Sequence, residues 1–198
     1  MTKVWGPMGW MTLHSISICY PDEPTDVDKR ILNEFMNAFG GSITCVHCRQ
    51  HFAKMFSDYK SKIPSWLNTK KDLFLAICRM HNAVNKRLDK PQPKTVAECL
   101  AFLKLATSYT SPRDFREKYS AYLLRDWKHH RQTGDGVIGY KNSEIVAKIN
   151  NEYWNQREVS YNDIKFDEDD VLTYSSTVKA PERTVIPKFN LSRLLGKH

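Results

Sequence analysis

The sequence predicts an all-α fold, a bundle of helices joined by short loops. Two observations carry this. Apolar residues recur three or four apart along five successive stretches between Trp10 and Leu103, the spacing that puts them on one helical face. Between those stretches stand proline, paired glycine and helix-capping residues rather than long polar linkers. The chain has 198 residues, 41% of them hydrophobic, enough to bury a core.

In order, Trp5-Gly6-Pro7 reads as a turn, and Trp10, Leu13, His14 and Ser17 as a helix ended by Pro21. Trp10 and His14 share a face; from these residues alone they read as a buried Trp with a satisfied His. Thr25 or Asp26 caps the next helix, whose stripe is Ile31, Leu32, Phe35, Ala38 and Phe39, with Gly40-Gly41 as its stop. Phe52, Met55, Phe56 and Tyr59 line a third helix, which ends before Pro64. Asn68 or Thr69 opens a fourth, striped by Leu73, Ile77, Val84 and Leu88 with Phe74 and Met80 beside them, and Pro91 and Pro93 close it. Thr95 to Glu98 spells a capping box for a short fifth helix through Leu100 and Leu103.

A fresh unit is expected beyond about Tyr109, dividing the chain into 1–109 and 110–198. Ser111-Pro112-Arg113-Asp114 is a helix start, and Phe115, Tyr119 and Tyr122 carry a stripe to about Arg131, where Gly134 and Gly136 break it. A second helix fits Ser143 to Gln156, with Ile145, Ile149 and Tyr153 on one side. The Asp167 to Asp170 acid cluster lacks calcium-loop spacing and reads as a solvated loop, followed by an extended tail with basic residues from Arg193 to Lys197.

The formal charge of +8 is that of a solvated surface rather than a nucleic-acid footprint. No apolar run is long enough to span a membrane, and the residues after Met1 form no secretory signal. Five cysteines are too few for a disulfide scaffold.

Chemistry concentrates in Cys45-Val46-His47-Cys48. Two cysteines at this spacing serve dithiol redox chemistry or half of a zinc site. His51 and Phe52 lie on the face of Cys48, and Thr44 or Cys45 stands near a helix start, where unpaired N–H groups favour a thiolate. On the fourth helix Cys78, His81 or Asn82, and Asn85 make a polar stripe beside the apolar one, either an exposed face or a cofactor groove. A zinc module would draw on Cys45, Cys48 and two of His47, His51, Cys78 and His81, without the usual second close pair of ligands. A nucleic-acid-binding module would draw on Lys128-His129-His130-Arg131, without a recognition motif.

Taken together, Trp5-Gly6-Pro7, Trp10 with His14, Tyr20-Pro21, Cys45/Cys48 with His51-Phe52, and the run from Cys78 through Asn85 to Leu88 and Lys90-Pro91 resemble the Erv/ALR family of FAD-linked sulfhydryl oxidases, possibly the type found in large DNA viruses. The resemblance covers about half the chain. It implies a four-helix bundle plus a short fifth helix, FAD as cofactor, no metal, and a homodimer built on the first two helices. It implies that Cys45 meets a dithiol protein substrate of thioredoxin-like kind, while Cys48 faces the flavin, with dioxygen as acceptor and hydrogen peroxide as product.

By the same resemblance Trp10 and His14 meet the adenine half, and His81, Asn82, Asn85 and Lys86 line the rest. Gly6, Tyr20, His51, Phe52, Cys78, Val84 and Leu88 complete the implied cofactor set. Cys78 and Cys99 are implied as a structural disulfide. Thr44 departs from the family, which often has Pro there. No shuttle cysteine pair is visible, and Cys19 reads as a buried free thiol. The implied location is the host cytoplasm or virion, with the mitochondrial intermembrane space as the alternative; no nucleic acid or membrane partner is implied.

Overall fold

The computed structural model describes residues 2–167 and 170–173, with residues 2–4 described by backbone alone. Seven α-helices are present among them: α1 Thr2–Cys19, α2 Asp26–Ser42, α3 Val46–Lys62, α4 Lys70–Arg87, α5 Val96–Ala106, α6 Pro112–Lys128 and α7 Gly134–Glu152. Two 3₁₀ turns follow, Trp154–Gln156 and Tyr161–Asp163. The all-α class is as the sequence predicts. Part of the acid cluster and the whole basic tail lie outside the described residues.

Caps set most of the helix starts. Thr25 and Asp28 exchange the reciprocal bonds of a capping box at α2, as do Ser111 and Asp114 at α6. Thr69 resolves the start of α4 by accepting from the Asp72 N–H. Thr95 caps α5, but its box is incomplete, because the Glu98 carboxylate takes the N–H of Lys94 instead.

Three local expectations fail for packing reasons. Trp5-Gly6-Pro7 is no turn; α1 runs through Pro7. So near the helix start, Pro7 forfeits only a bond to a first-turn carbonyl, and Trp5 is buried in return. Gly40-Gly41 does not stop α2, which ends at Ser42. The glycines serve close approach instead: a Cβ on Gly40 would meet the Phe52 ring at 3.1 Å, and one on Gly41 would collide with Asn142 of α7. Likewise α7 begins at Gly134, not Ser143, because Thr133 caps it by accepting from the Gly136 N–H.

Helices α1 to α4 surround one aromatic core. Phe39 packs on Phe52 with centroids 5.5 Å apart, Phe52 on Phe56 at 6.0 Å, and Phe56 edge-on to Trp66 at 5.1 Å. The core does not stop at the expected boundary near Tyr109. Helix α6 packs along α1, and α7 packs along both α2 and α6. Tyr119 and Leu123 of α6, Val146 of α7 and Trp154 are fully buried in the same apolar cluster as Leu13 and Phe35. Each such side chain contributes about 1.5–3 kcal/mol of burial.

One charge is sealed between the layers. Arg116 of α6 is 1% exposed. Its guanidinium donates to Ser15 Oγ and Cys19 Sγ of α1, to Asn150 Oδ1 of α7 and to Asn155 Oδ1. All four acceptors are neutral, so dipoles rather than a counter-ion solvate the cation, and burial lowers its proton affinity. At the far end Tyr153 and Arg157 both donate to Asp28 at the start of α2.

The chain then returns to the bundle. Phe166 packs on Phe74 at 5.2 Å, and Val171 makes an antiparallel bridge with Thr95. Leu172 is buried, its N–H donating to the Lys94 carbonyl.

Arg116→Ala should cost about 3 kcal/mol, the price of stranding a buried polar network. For a chain of this size that lowers the thermal midpoint by roughly 6–12 °C. Arg113→Ala, which removes an exposed pair with Glu117, should change it by no more than about 2 °C. Thermal melts followed by circular dichroism decide both.

Candidate redox site

Cys45 is the N-cap of α3. Its Sγ accepts the N–H of Cys48 at 3.3 Å, so of the two residues expected near this start the cysteine is the cap. The two cysteines are joined as a disulfide with Cα atoms 5.2 Å apart, and both are half-buried. Val46 and His47 between them are exposed. A sulfur at a helix N-terminus sits where N–H dipoles stabilise negative charge, so reduction would leave a Cys45 thiolate in favourable surroundings.

Beside this pair, α1 and α4 build a ring wall. Trp10 and His81 stack with centroids 4.4 Å apart and planes 7° from parallel. His14 Nε2 and His81 Nδ1 share a hydrogen bond of 2.9 Å. Phe52 of α3 closes on Trp10 at 6.4 Å. Helix α4 contributes through one face, since Cys78, His81, Val84, Asn85 and Leu88 recur three or four apart.

A cationic rim continues from the wall. Desolvation first, then the charges of Arg87 and Lys54, lower the His51 imidazole to about 4. Desolvation and Lys90 lower His81 to about 4 as well. The Arg87 Nε is buried without a partner, and Lys86 at the end of α4 is exposed. Arg87 was missed by sequence reasoning; its signal was a second basic residue in the last turn of a helix that already carried the polar stripe.

Two expected members lie elsewhere. Tyr20 is fully buried, and its hydroxyl donates to the Leu67 carbonyl, tying the end of α1 to the α3–α4 connection. Asn82 is one position off the His81 face, and its Nδ2 donates to the carbonyls of Pro93 and Leu172. It holds the returning chain, not the ring wall. Gly6 lies on α1 with open space where a Cβ would stand.

Cys78 and Cys99 are buried thiols with Sγ atoms 3.0 Å apart. The implied disulfide is therefore not closed here, since a bond needs about 2.0 Å. His14 Nδ1 lies 4.0 Å from Cys78 Sγ, and the three ligand atoms fall within 4.8 Å of one another. Burial, then Cys99, pushes the Cys78 thiol well up, which disfavours the thiolates a metal would need. Cys19 is a buried free thiol, as expected.

A half-buried disulfide at a helix start, with an aromatic wall and a rim of cations that have no carboxylate partner among the described residues, defines a helical dithiol–disulfide protein. The chain belongs to the Erv1 / Alr family, whose model matches residues 7–107. It is 33% identical over 87 residues to the mitochondrial FAD-linked sulfhydryl oxidase ERV1 of Saccharomyces cerevisiae, covering 44% of each chain. It is 38% identical over 86 residues to an FAD-linked sulfhydryl oxidase of African swine fever virus, covering 43% of this chain and 69% of the viral one. It is 31% identical over 86 residues to the FAD-linked sulfhydryl oxidase ERV1 of Oryza sativa, covering 43% of this chain and 42% of the rice protein. The chain thus spans less than half the length of its yeast and rice relatives. No described helix is long and apolar enough to cross a membrane.

Three depressed histidines give a pH dependence. His51 and His81 bind a proton more readily unfolded, near 6.5, than folded, near 4, and burial lowers His14 in the same direction. Stability without added ligand is therefore fully present above about pH 6.5 and falls as pH drops through that window towards 4. Thermal melts between pH 7.5 and 4.5 should show the decline, and His51→Gln should make it shallower.

Proposed function

We propose that the chain is an FAD-dependent thiol oxidase that makes disulfides in protein dithiols and delivers the electrons to dioxygen, giving hydrogen peroxide. The observation that carries this reading is the Cys45–Cys48 disulfide at the start of α3, set against a Trp–His wall and cations without a carboxylate partner among the described residues. FAD fits this donor set. Its ring systems match Trp10, His14, His81 and Phe52, and its pyrophosphate matches the charges of Lys54, Lys86, Arg87 and Lys90, with the orphaned Arg87 Nε as a waiting donor. When bound, the flavin supplies the two-electron acceptor that a dithiol lacks.

The chain's own chemistry is thiol–disulfide exchange. A substrate thiolate attacks Cys45 Sγ; the Cys45–Cys48 bond breaks, and Cys48 leaves as a thiolate. The second substrate thiolate then attacks the substrate sulfur of the mixed disulfide, and Cys45 departs. The substrate gains a disulfide, and the pair holds two electrons and two protons more than before. Cys45 takes the substrate-facing role in this reading because it is the cap, its sulfur accepting the Cys48 N–H, while Cys48 lies a turn further along α3.

The oligomer in this reading differs from the homodimer that the resemblance implies. Helices α6 and α7 lie along α1 and α2, the pair on which that dimer would build. We read the single chain as the working unit, with a thioredoxin-like dithiol protein as substrate. Mitochondrial and viral relatives support both of the locations expected from sequence.

The test is direct. Full-length protein should purify yellow or take up added FAD, and should consume oxygen with dithiothreitol while releasing peroxide. Cys48→Ser and Cys45→Ser should each lower turnover at least a hundredfold, roughly 2.7 kcal/mol in activation free energy. Retention of turnover by both variants, or a colourless protein that ignores FAD, sinks the reading.

We also propose that Cys78 and Cys99 close to a disulfide in the oxidised protein. The bond would close a loop of sequence separation 21 and contribute about 3 kcal/mol by the loop-entropy estimate. Peptide mapping without reductant should recover the 78–99 crosslink, and the double Ser variant should melt lower yet still turn over in the cold. A finding that both thiols alkylate in the denatured, unreduced protein rules the bond out.

A further inference from the structure

The loop that leads into Cys45 is held from outside the matched family region. Trp127 Nε1 of α6 donates to the Ser42 carbonyl at 2.7 Å. Arg49, the residue after Cys48, turns back so that its guanidinium donates to the Ile43 carbonyl at 3.3 Å. Asp135 of α7 grips the same guanidinium through both oxygens, at 2.8 and 2.6 Å. The Trp127 ring lies against it at 5.6 Å. Thr44 Oγ1 meets the Tyr122 hydroxyl of α6 at 3.3 Å. Three consecutive residues before the redox pair are thus fixed by side chains of α6 and α7 or by an arginine those helices hold.

Stability does not explain this arrangement. Asp135 is 56% exposed as a side chain, and ion pairs of that kind contribute about 0–1 kcal/mol. Position does explain it. Thiol exchange opens and recloses the Cys45–Cys48 bond, and the sulfurs return to register only if the backbone on both sides stays put. Arg49 spans that loop, joining the residue after Cys48 to the one before Thr44. It also fixes a cation near a helix start where a thiolate forms, while Asp135 limits how much positive charge the thiolate feels.

We propose that α6 and α7 belong to the redox centre, with Arg49 as the positioning residue that Asp135 and Trp127 lock around the Cys45–Cys48 loop. The turnover part of this inference rests on the oxidase reading above; the geometry does not. The site uses both terminal nitrogens of the guanidinium, Nη1 on the Ile43 carbonyl and Nη2 on Asp135, so a lysine, which keeps the charge but offers one nitrogen, is the discriminating substitution.

The experiment compares Arg49→Lys, Asp135→Asn and Tyr122→Phe with Arg113→Ala as the control, all in the full chain. Three quantities are measured: the pH profile of iodoacetamide alkylation at Cys45 in reduced protein, read by peptide mass; the equilibrium of the pair with dithiothreitol; and kcat and KM for dithiothreitol with FAD present. Arg49→Lys and Asp135→Asn should lower kcat about tenfold with KM within about twofold, and should displace the alkylation midpoint. Asp135→Asn should move that midpoint to lower pH, because its cation is no longer offset. Tyr122→Phe should show a smaller loss of the same kind, and Arg113→Ala none. Wild-type profiles and kcat in Arg49→Lys and Asp135→Asn overturn the proposal, as does a kcat loss that merely tracks a lower thermal midpoint. A wild-type chain that binds FAD but does not turn over would sink the oxidase reading alone, and the alkylation profiles would still decide the role of Arg49.

Discussion

From Thr12 onward helix α1 is packed on every side, and the rest of the molecule is arranged by that constraint. From Thr12 to Tyr20 each residue is buried. One face presents Trp10 and His14 to α4, where they form the ring wall. Another presents Thr12, Ser15 and Cys19 to α6, where the backbone of Phe115 and the guanidinium of Arg116 meet them. A helix with no solvent face cannot satisfy polar side chains with water, so each needs a protein partner. Ser17 shows the economical solution, donating to the His14 carbonyl one turn back. Serines and a threonine on a buried face therefore require a second polar layer, and Arg116 is that layer.

This constraint also explains what was legible in the sequence. The first five helices were readable because their buried faces are made of Leu, Ile, Phe and Met at helical spacing, and the redox pair because its spacing has few other uses. Helix α7 was half missed for the opposite reason. Its buried positions are Gly136, Gly139, Ser143, Val146, Ile149 and Asn150, a helical period whose first half is written in small residues alone. A reader searching for apolar stripes sees two glycines and infers a break. The physical reason is proximity: Trp127 lies so close to Gly139 that no side chain fits there, and Asn142 lies against Gly41. Arg116 was illegible because an arginine on a helix is ordinarily solvated, and no local signal distinguishes one destined for burial.

Within the candidate site, helical phase separates residues that stand side by side in the sequence. His81 lies about 60° to one side of Cys78 and Asn82 about 40° to the other, so the two neighbours stand about 100° apart. A motif carries residues over in sequence order, but a helix sorts them by angle. Asn82 falls on the face turned to the α4–α5 connection, where Pro93 and Leu172 offer carbonyls. Tyr20 similarly sits past the last turn of α1, too far along to join the wall that Trp10 and His14 begin.

The two sides of the site also differ in electrostatic design. The ring wall is neutral, since burial keeps His14 and His81 unprotonated, and two neutral imidazoles can share one hydrogen bond where two imidazolium ions would repel. The rim is cationic and short of anions, with Arg87 and Lys54 both acting on His51. Such a cluster is costly unless an anion completes it, because like charges at close range destabilise one another. The Arg49 end is different again: there the cation has its carboxylate already, supplied by α7. A cation-rich rim and a redox loop whose charge is already balanced lie on adjoining parts of α3. The first is built by α3 and α4, in the matched family region. The second is completed by the helices beyond it, so the part of the chain outside the matched region reaches the chemistry through the loop before Cys45 rather than through the cofactor side.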